Sequence, residues 1–255
     1  MTLRRRLVAC LDVQNGRTVK GTRFVDLRDV GDPVELAARH EADGADEIVM
    51  LDITASHEGR DTLLDVVQRA AERLFVPLTV GGGVREVADV GRLLRAGADK
   101  VSMNTSAVER PELLHEAAAR FGSQCVVASI DARRTSARTW TVVTRGGRTE
   151  TGLDALAWAR ACERMGAGEI LLTSIDADGT RSGYDLALTR AVADAVRVPV
   201  VASGGAGTAR HVQEVFEAGG ADAALLAGVL HDGTLTLAAL KAALAEAGVA
   251  IRRAS

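Results

Sequence analysis

The chain has 255 residues, 47% of them hydrophobic and 25% charged, with a formal net charge of −3. That apolar content can bury a large core, and the length matches one (βα)8 TIM barrel, so one domain over 1–255 is preferred to two. The weakly acidic balance argues against a nucleic-acid partner, and no apolar run reaches the about 20 residues that a membrane span needs.

The opening MTLRRRLVACLDV has a basic triplet and only a short apolar run, so it reads as neither a signal peptide nor a span, and a cytoplasmic protein is expected. Eight short β-branched runs follow one another at 6–12, 47–53, 76–81, 99–103, 125–131, 169–175, 198–203 and 222–227. Amphipathic stretches of helical length separate them, at 33–43, 61–73, 85–96, 110–120, 153–165, 185–195, 208–218 and 235–247. Eight such pairs are what a closed parallel barrel requires; an open doubly wound sheet is the alternative. A long loop from Gly16 to Phe24 follows the first strand, and loops of that length are often lids. Residues 138–150, RTWTVVTRGGRTE, read as a hairpin turning at Gly146-Gly147 after the fifth strand.

The chain repeats itself. Gly44-Ala45-Asp46-Glu47-Ile48 returns as Gly166-Ala167-Gly168-Glu169-Ile170, and Val76-Pro77 with Gly82-Gly83 returns as Val198-Pro199 with Gly204-Gly205. A twofold internal repeat is therefore expected, two half-barrels spanning about 4–122 and 123–252. The glycines that end the third and seventh strands, Gly83 and then Gly204 and Gly205 beside Ser203, allow backbone N–H groups to approach an anion. Asn104 and Thr105 after the fourth strand, Ala227 and Gly228 after the eighth, and Asp176 and Gly179 after the sixth would complete two grips. Either glycine loop alone could simply be a tight turn, but two on opposite sides of one mouth suit a long ligand with a phosphate at each end.

Asp12 and Asp131 close the first and fifth strands, which lie diametrically opposed in an eight-stranded barrel. Barrel active sites lie at this end, so one carboxylate could give a proton while the other takes one. An isolated aspartate there could equally cap a turn. Lys20, in the long loop, is either a lid residue or a solvated lysine. Cys10, Cys125 and Cys162 share no metal-ligand spacing, and His57, His115 and His211 show none either, so no metal and no cofactor are expected.

The strings ACLDVQNGRTVKGTRF, LDITAS, TVGGGVR, ADKVSMNTSAV, FGSQCVVASIDA, GAGEILLTSIDADGTRSGYD and VVASGGAG, from about residue 4 to 252, resemble the cyclase subunits of imidazole glycerol phosphate synthase. The resemblance implies an enzyme of histidine biosynthesis. It would convert the bisphosphorylated ribonucleotide PRFAR and ammonia into imidazole glycerol phosphate and the aminoimidazole carboxamide ribonucleotide. It also implies that Asp12 and Asp131 are catalytic and that Lys20 lies in a mobile first loop. One departure is Gly228, where the family often has serine. The sister isomerase, which makes PRFAR, and a non-catalytic phosphate-binding scaffold are the competing readings.

Alternation along a strand puts Arg6 on the same face as Asp12 but at the opposite end, about 20 Å away at ~3.3 Å per residue. Lys100 begins the fourth strand, and Glu47 and Glu169 begin the second and sixth. Two cations and two anions could ring the floor of the barrel, or could form salt bridges on its rim. The resemblance favours the ring, as a gate for ammonia delivered by a glutaminase subunit docked on that face. Small residues of the same parity, Cys10, Ser102, Ser129 and Thr173, would leave room above it.

Overall fold

A computed structural model describes residues 4–22, 25–53 and 59–252, with side chains at 20–22, 25–27 and 59–62 outside that description. Among the described residues the strands are β1 (Arg6–Gln14), β2 (Arg17–Thr22), β3 (Val25–Gly31), β4 (Glu47–Asp52), β5 (Leu78–Gly81), β6 (Lys100–Met103), β7 (Val126–Ser136), β8 (Thr139–Thr144), β9 (Thr149–Asp154), β10 (Glu169–Ser174), β11 (Val200–Ser203) and β12 (Ala223–Leu226). The helices are α1 (Pro33–Ala42), α2 (Gly59–Ala71), α3 (Val87–Arg95), α4 (Thr105–Glu109), α5 (Glu112–Phe121), α6 (Ala155–Arg164), α7 (Leu186–Ala193), α8 (Ala209–Glu217), α9 (Gly228–His231) and α10 (Leu237–Glu246).

Eight strands pair in parallel in the order β1, β4, β5, β6, β7, β10, β11, β12, and β12 returns to β1, so the sheet closes. This is a (βα)8 barrel. A recurring Gly-Ala-Asp aligns the strand starts: Asp46, Asp99 and Asp222 accept from the N–H groups of Leu7, Leu78 and Val200 at 2.8, 2.8 and 3.0 Å. Each carboxylate thus satisfies a backbone donor of a neighbouring strand, and only that of Asp46 is itself buried. Asp46 is also paired with the buried Lys241 of α10 at 2.8 Å.

Two apolar clusters follow from the strict alternation of strand side chains. The larger lies between strands and helices and includes Leu7, Ala9, Leu11, Ile48, Met50, Ile170 and Leu172. The smaller takes the opposite parity, Val8, Cys10, Val49, Val127, Leu171, Val201, Ala223 and Leu225, and fills the lumen.

Both expected loops differ from the sequence reading. Residues Arg17–Thr22 and Val25–Gly31 form an antiparallel ribbon on an extended β1 rather than an irregular loop. Gln14 pairs with Arg17 around Asn15 and Gly16, whose φ values of 50° and 75° suit a two-residue hairpin turn. The Asn-Gly signal was present, but the lid reading overlooked it. After the fifth barrel strand, β7 itself runs on to Ser136 and joins β8 and β9 in a meander, so the hairpin is longer than 138–150. The helix expected from 153 consequently starts at Ala155, where the Asp154 side chain accepts from Ala157 N. The helix expected over 110–120 is α5, and the short α4 that precedes it and the short α9 are additional.

Candidate active site at the barrel mouth

Asp12 sits near the top of β1 and Asp131 near the top of β7, the latter in register with Thr173 of β10. Burial pushes both carboxyls up to about 7, and in each case the charge of Asp178 pushes further in the same direction. Hydrogen bonds from Thr173 and Asn104 pull partly the other way at Asp131. Asn104 Nδ2 donates to Asp131 Oδ2 at 2.8 Å, while Asn104 Oδ1 is buried without a partner. The mouth thus gathers Asp12, Asp131 and Asp178, and for the first two burial leaves ionisation near neutral pH finely balanced.

A cavity of about 380 Å³ opens beside Asp12. Its walls include Asp178, Gly179, Ser203, Gly204, Gly205, Ala227 and Gly228, so the residues assigned to the second grip come together. Of the residues assigned to the first grip, Gly83 borders a smaller recess with Asp52, Gly82, Asp89 and the apolar Leu63, Leu64 and Leu93, and Asn104 and Thr105 do not line it. The two grips are built alike. Gly82 has φ +94°, and a Cβ there would stand 2.0 Å from Asp52 O; Gly204 has φ +90°, and a Cβ would stand 2.7 Å from Ser174 O. A side chain at either position would meet the backbone of the preceding barrel strand, so only glycine lets the loop lie this close.

Two expected ligand residues are engaged elsewhere. Asp176 Oδ2 accepts from Arg134 N at 2.7 Å, out on the meander, and it is Asp178 that lines the cavity. Thr105 Oγ1 accepts from Arg145 N at 3.0 Å, which ties α4 to the β8–β9 turn. Asn104 supports Asp131 through its amide. Sequence reasoning quoted Asp178 only as part of a motif and gave it no role, because nothing in Asp176-Ala177-Asp178-Gly179 says which carboxylate turns inward. It also missed Arg28, Arg181, His231 and Asp232 on the cavity wall. Arg28 could have been found had the ribbon been recognised, since β3 folds back over the mouth. The Lys20 backbone pairs with Arg28 in that ribbon; its side chain, with Arg23, Phe24 and His57, lies outside the described residues.

At the opposite end of the lumen the four expected charges close into a ring. Arg6 contacts Glu47 at 2.9 Å and Glu169 at 2.5 Å, and Lys100 contacts the same two carboxylates at 2.8 and 2.7 Å. Thr79 Oγ1 adds a donor to Glu47 at 2.8 Å. Glu47 and Glu169 are 3% and 6% exposed, so each needs the cations that flank it. Cys10 and Ser102, both buried, lie on the lumen side above the ring.

Among the described residues no group of three His, Cys, Asp or Glu side chains could hold a metal ion. No helix among them is long and apolar enough to cross a membrane.

Residues 6–236 match the family described as histidine biosynthesis protein. Over 250 residues the chain is 67% identical to the imidazole glycerol phosphate synthase subunit HisF of Myxococcus xanthus (strain DK1622), covering 98% of each chain. It is 59% identical over 251 residues to the subunit of the same name from Synechococcus sp. (strain CC9605), covering 97% of this chain and 98% of that one.

Proposed function

From the premise that this chain belongs to the histidine biosynthesis protein family, we propose that it is the cyclase subunit of imidazole glycerol phosphate synthase, with Asp12 and Asp131 as its acid–base pair. PRFAR and ammonia are the substrates; imidazole glycerol phosphate and the aminoimidazole carboxamide ribonucleotide are the products. The observation that carries the catalytic assignment is the pair of buried carboxyls held at about 7 on opposed strands. With both so close to neutrality and both repelled by Asp178, the mouth favours a state in which one holds a proton and the other does not. The protonated carboxyl gives its proton to the keto oxygen as ammonia adds to that carbon. The ionised one takes a proton from the nitrogen that has become positive. Water leaves to give an imine, whose nitrogen adds to the formimino carbon. The bond to the amino group of the aminoimidazole carboxamide ribonucleotide breaks as that amino nitrogen takes a proton. Transfer of a proton from the ring CH2 carbon to a ring nitrogen gives the aromatic imidazole.

The phosphates are assigned to the two glycine loops. Gly204, Gly205, Ala227 and Gly228 with Gly179 and Ser203 form the broader grip, and Arg28 stands on its wall with Arg181, which is paired with Asp232. Gly83 forms the narrower one, and the buried Asn104 Oδ1 offers an acceptor to the substrate between them. Gly228 contributes backbone N–H only. We read the barrel as two half-barrels, about 4–122 and 123–252, supported by the equivalent settings of Gly82 and Gly204 and by the antiparallel meander that follows β1 and β7. Ammonia enters through the floor. Arg6, Glu47, Lys100 and Glu169 form its gate, and a partner glutaminase subunit docks on the strand N-terminal face. The closed ring beneath an apolar lumen that includes the small residues Cys10 and Ala223 supports this route, because a small neutral molecule passes only when one ion pair opens.

Turnover of synthetic PRFAR with an ammonium salt tests the assignment. A cyclase releases both products; the sister isomerase would accept only the precursor, and a scaffold would act on neither. Two inorganic phosphate ions bound at the Gly83 and Gly205 loops are expected in a phosphate-soaked crystal, and none there would overturn the assignment of the grips.

A further inference from the structure

The hydrogen-bond ladder between β1 and β12 stops at Ala9 and Leu226, where the eighth barrel strand bends into α9. Arg6 N donates to Asp222 O, so alternate residues of β1, Arg6, Val8 and Cys10, direct their backbone groups toward β12. The Cys10 carbonyl is therefore the next acceptor due in that ladder. A side chain takes the place of the missing strand residue: His231 Nε2 lies 3.0 Å from Cys10 O. On its other side His231 Nδ1 lies 3.3 Å from Nε2 of His40, a buried residue of α1, with the two ring centroids 5.3 Å apart.

The chemistry of the acceptor fixes the protons. A carbonyl oxygen only accepts, so His231 carries its proton on Nε2. A neutral His231 then accepts at Nδ1, and His40 must donate to it from Nε2. When both rings are neutral, the chain of donors runs one way, from His40 to His231 to Cys10 O. Burial above all lowers His40 to about 4, against a smaller opposing pull from Asp43, which agrees with a neutral His40 ring.

This relay joins two parts of the site. His231 ends the short helix that Gly228 begins, and both border the larger cavity. Cys10 stands two residues before Asp12. We propose that His40 and His231 are positioning residues that lock the second phosphate grip to the strand carrying Asp12, each ring in its Nε2–H tautomer. The effect on substrate binding rests on the phosphate assignment above; the tautomers do not.

Long-range proton–nitrogen correlation spectra of the histidine-labelled chain at pH 7.5 read the tautomers directly. Both rings are expected as Nε2–H, and a charged ring or an Nδ1–H tautomer at His231 would overturn the relay. Steady-state turnover of PRFAR with ammonium salt reads the positioning role. His231→Phe, which keeps the ring shape and loses the donor, is expected to raise KM about fivefold to tenfold with a smaller change in kcat. His231→Gln, whose amide nitrogen reaches the same position, is expected to recover most of that loss, and His40→Gln to recover most of the loss in His40→Phe. Equal KM values for the Phe and Gln variants, or lowered melting temperatures with KM unmoved, would overturn the positioning role. If the parent chain does not turn over PRFAR, the cyclase reading fails, and the spectra still decide the relay.

Discussion

The mouth and the floor of the barrel both bury carboxylates on lumen-facing strand positions, and they treat them in opposite ways. At the floor, Glu47 and Glu169 alternate with Arg6 and Lys100, so each negative charge is bracketed by two cations. At the mouth, Asp12 and Asp131 face a third carboxylate, Asp178, and burial and repulsion raise both to about 7. The difference shows what kind of work each end does. On the proposed reading, a neutralised ring is a closure that must open to let anything through, whereas buried carboxyls raised toward neutrality are groups suited to exchange protons.

The largest expected effect tests the mouth. Asp131→Asn keeps the shape and the contact to Asn104 but removes the proton-exchanging group, so kcat with ammonium salt should fall by about 100- to 10,000-fold. A fall below tenfold in a folded variant would remove Asp131 from the catalytic pair.

The floor should respond in stability first. Lys100→Ala strips one cation from two nearly inaccessible glutamates, and breaking a buried pair from one side costs about 3–5 kcal/mol. Denaturant unfolding measures this. In complex with a glutaminase, the same variant should change the ratio of glutamine-dependent to ammonia-dependent turnover; an unchanged ratio would leave the ring as structure only.

A smaller effect is expected at the grip. Gly204→Ala places a methyl group against Ser174 O in a backbone conformation that disfavours side chains. KM for PRFAR should rise about tenfold, the equivalent of about 1.4 kcal/mol of binding. If Gly204→Ala binds inorganic phosphate as the parent does, the loop is not the grip.

A last effect is on stability against pH, and its sign separates the two ends. Asp12 titrates near 3.8 in its ordinary state and near 7 in the fold. Between those values the folded chain holds a proton that the unfolded chain has released, so stability falls as pH rises through this window. Asp12→Asn removes the penalty. It should melt higher than the parent at pH 8, by about 2–4 °C for each kcal/mol relieved, with the gap closing toward pH 4. A gap that widens on acidification would mean that Asp12 is paired like the floor glutamates.

Much of this was legible because strand alternation is a local rule. Once Asp12 is set at the lumen end of β1, Arg6, Val8 and Cys10 must share its face, and the floor ring follows from the parity of four strand starts. The duplicated glycines were legible for a related reason: Gly82 and Gly204 meet backbone carbonyls of the preceding strand, a constraint that leaves no other residue type at those sites. The ribbon of β2 and β3 was legible in Asn15-Gly16 and was overlooked.

What the sequence by itself determined, then, is the barrel, the opposed aspartates, the two glycine grips and the four charges of the floor, since each rests on periodicity, repetition or backbone sterics within short segments. Tertiary structure alone decided the rest. Whether Asp176 or Asp178 turns inward depends on Arg134 N being offered by a meander some 40 residues earlier. Arg28 reaches the cavity only because β3 folds back. His231 meets Cys10 O only because strand and helix, 221 residues apart in sequence, are closed together by the last parallel pairing. Such contacts form between distant segments whose mutual approach is set by barrel closure, and no local pattern encodes them.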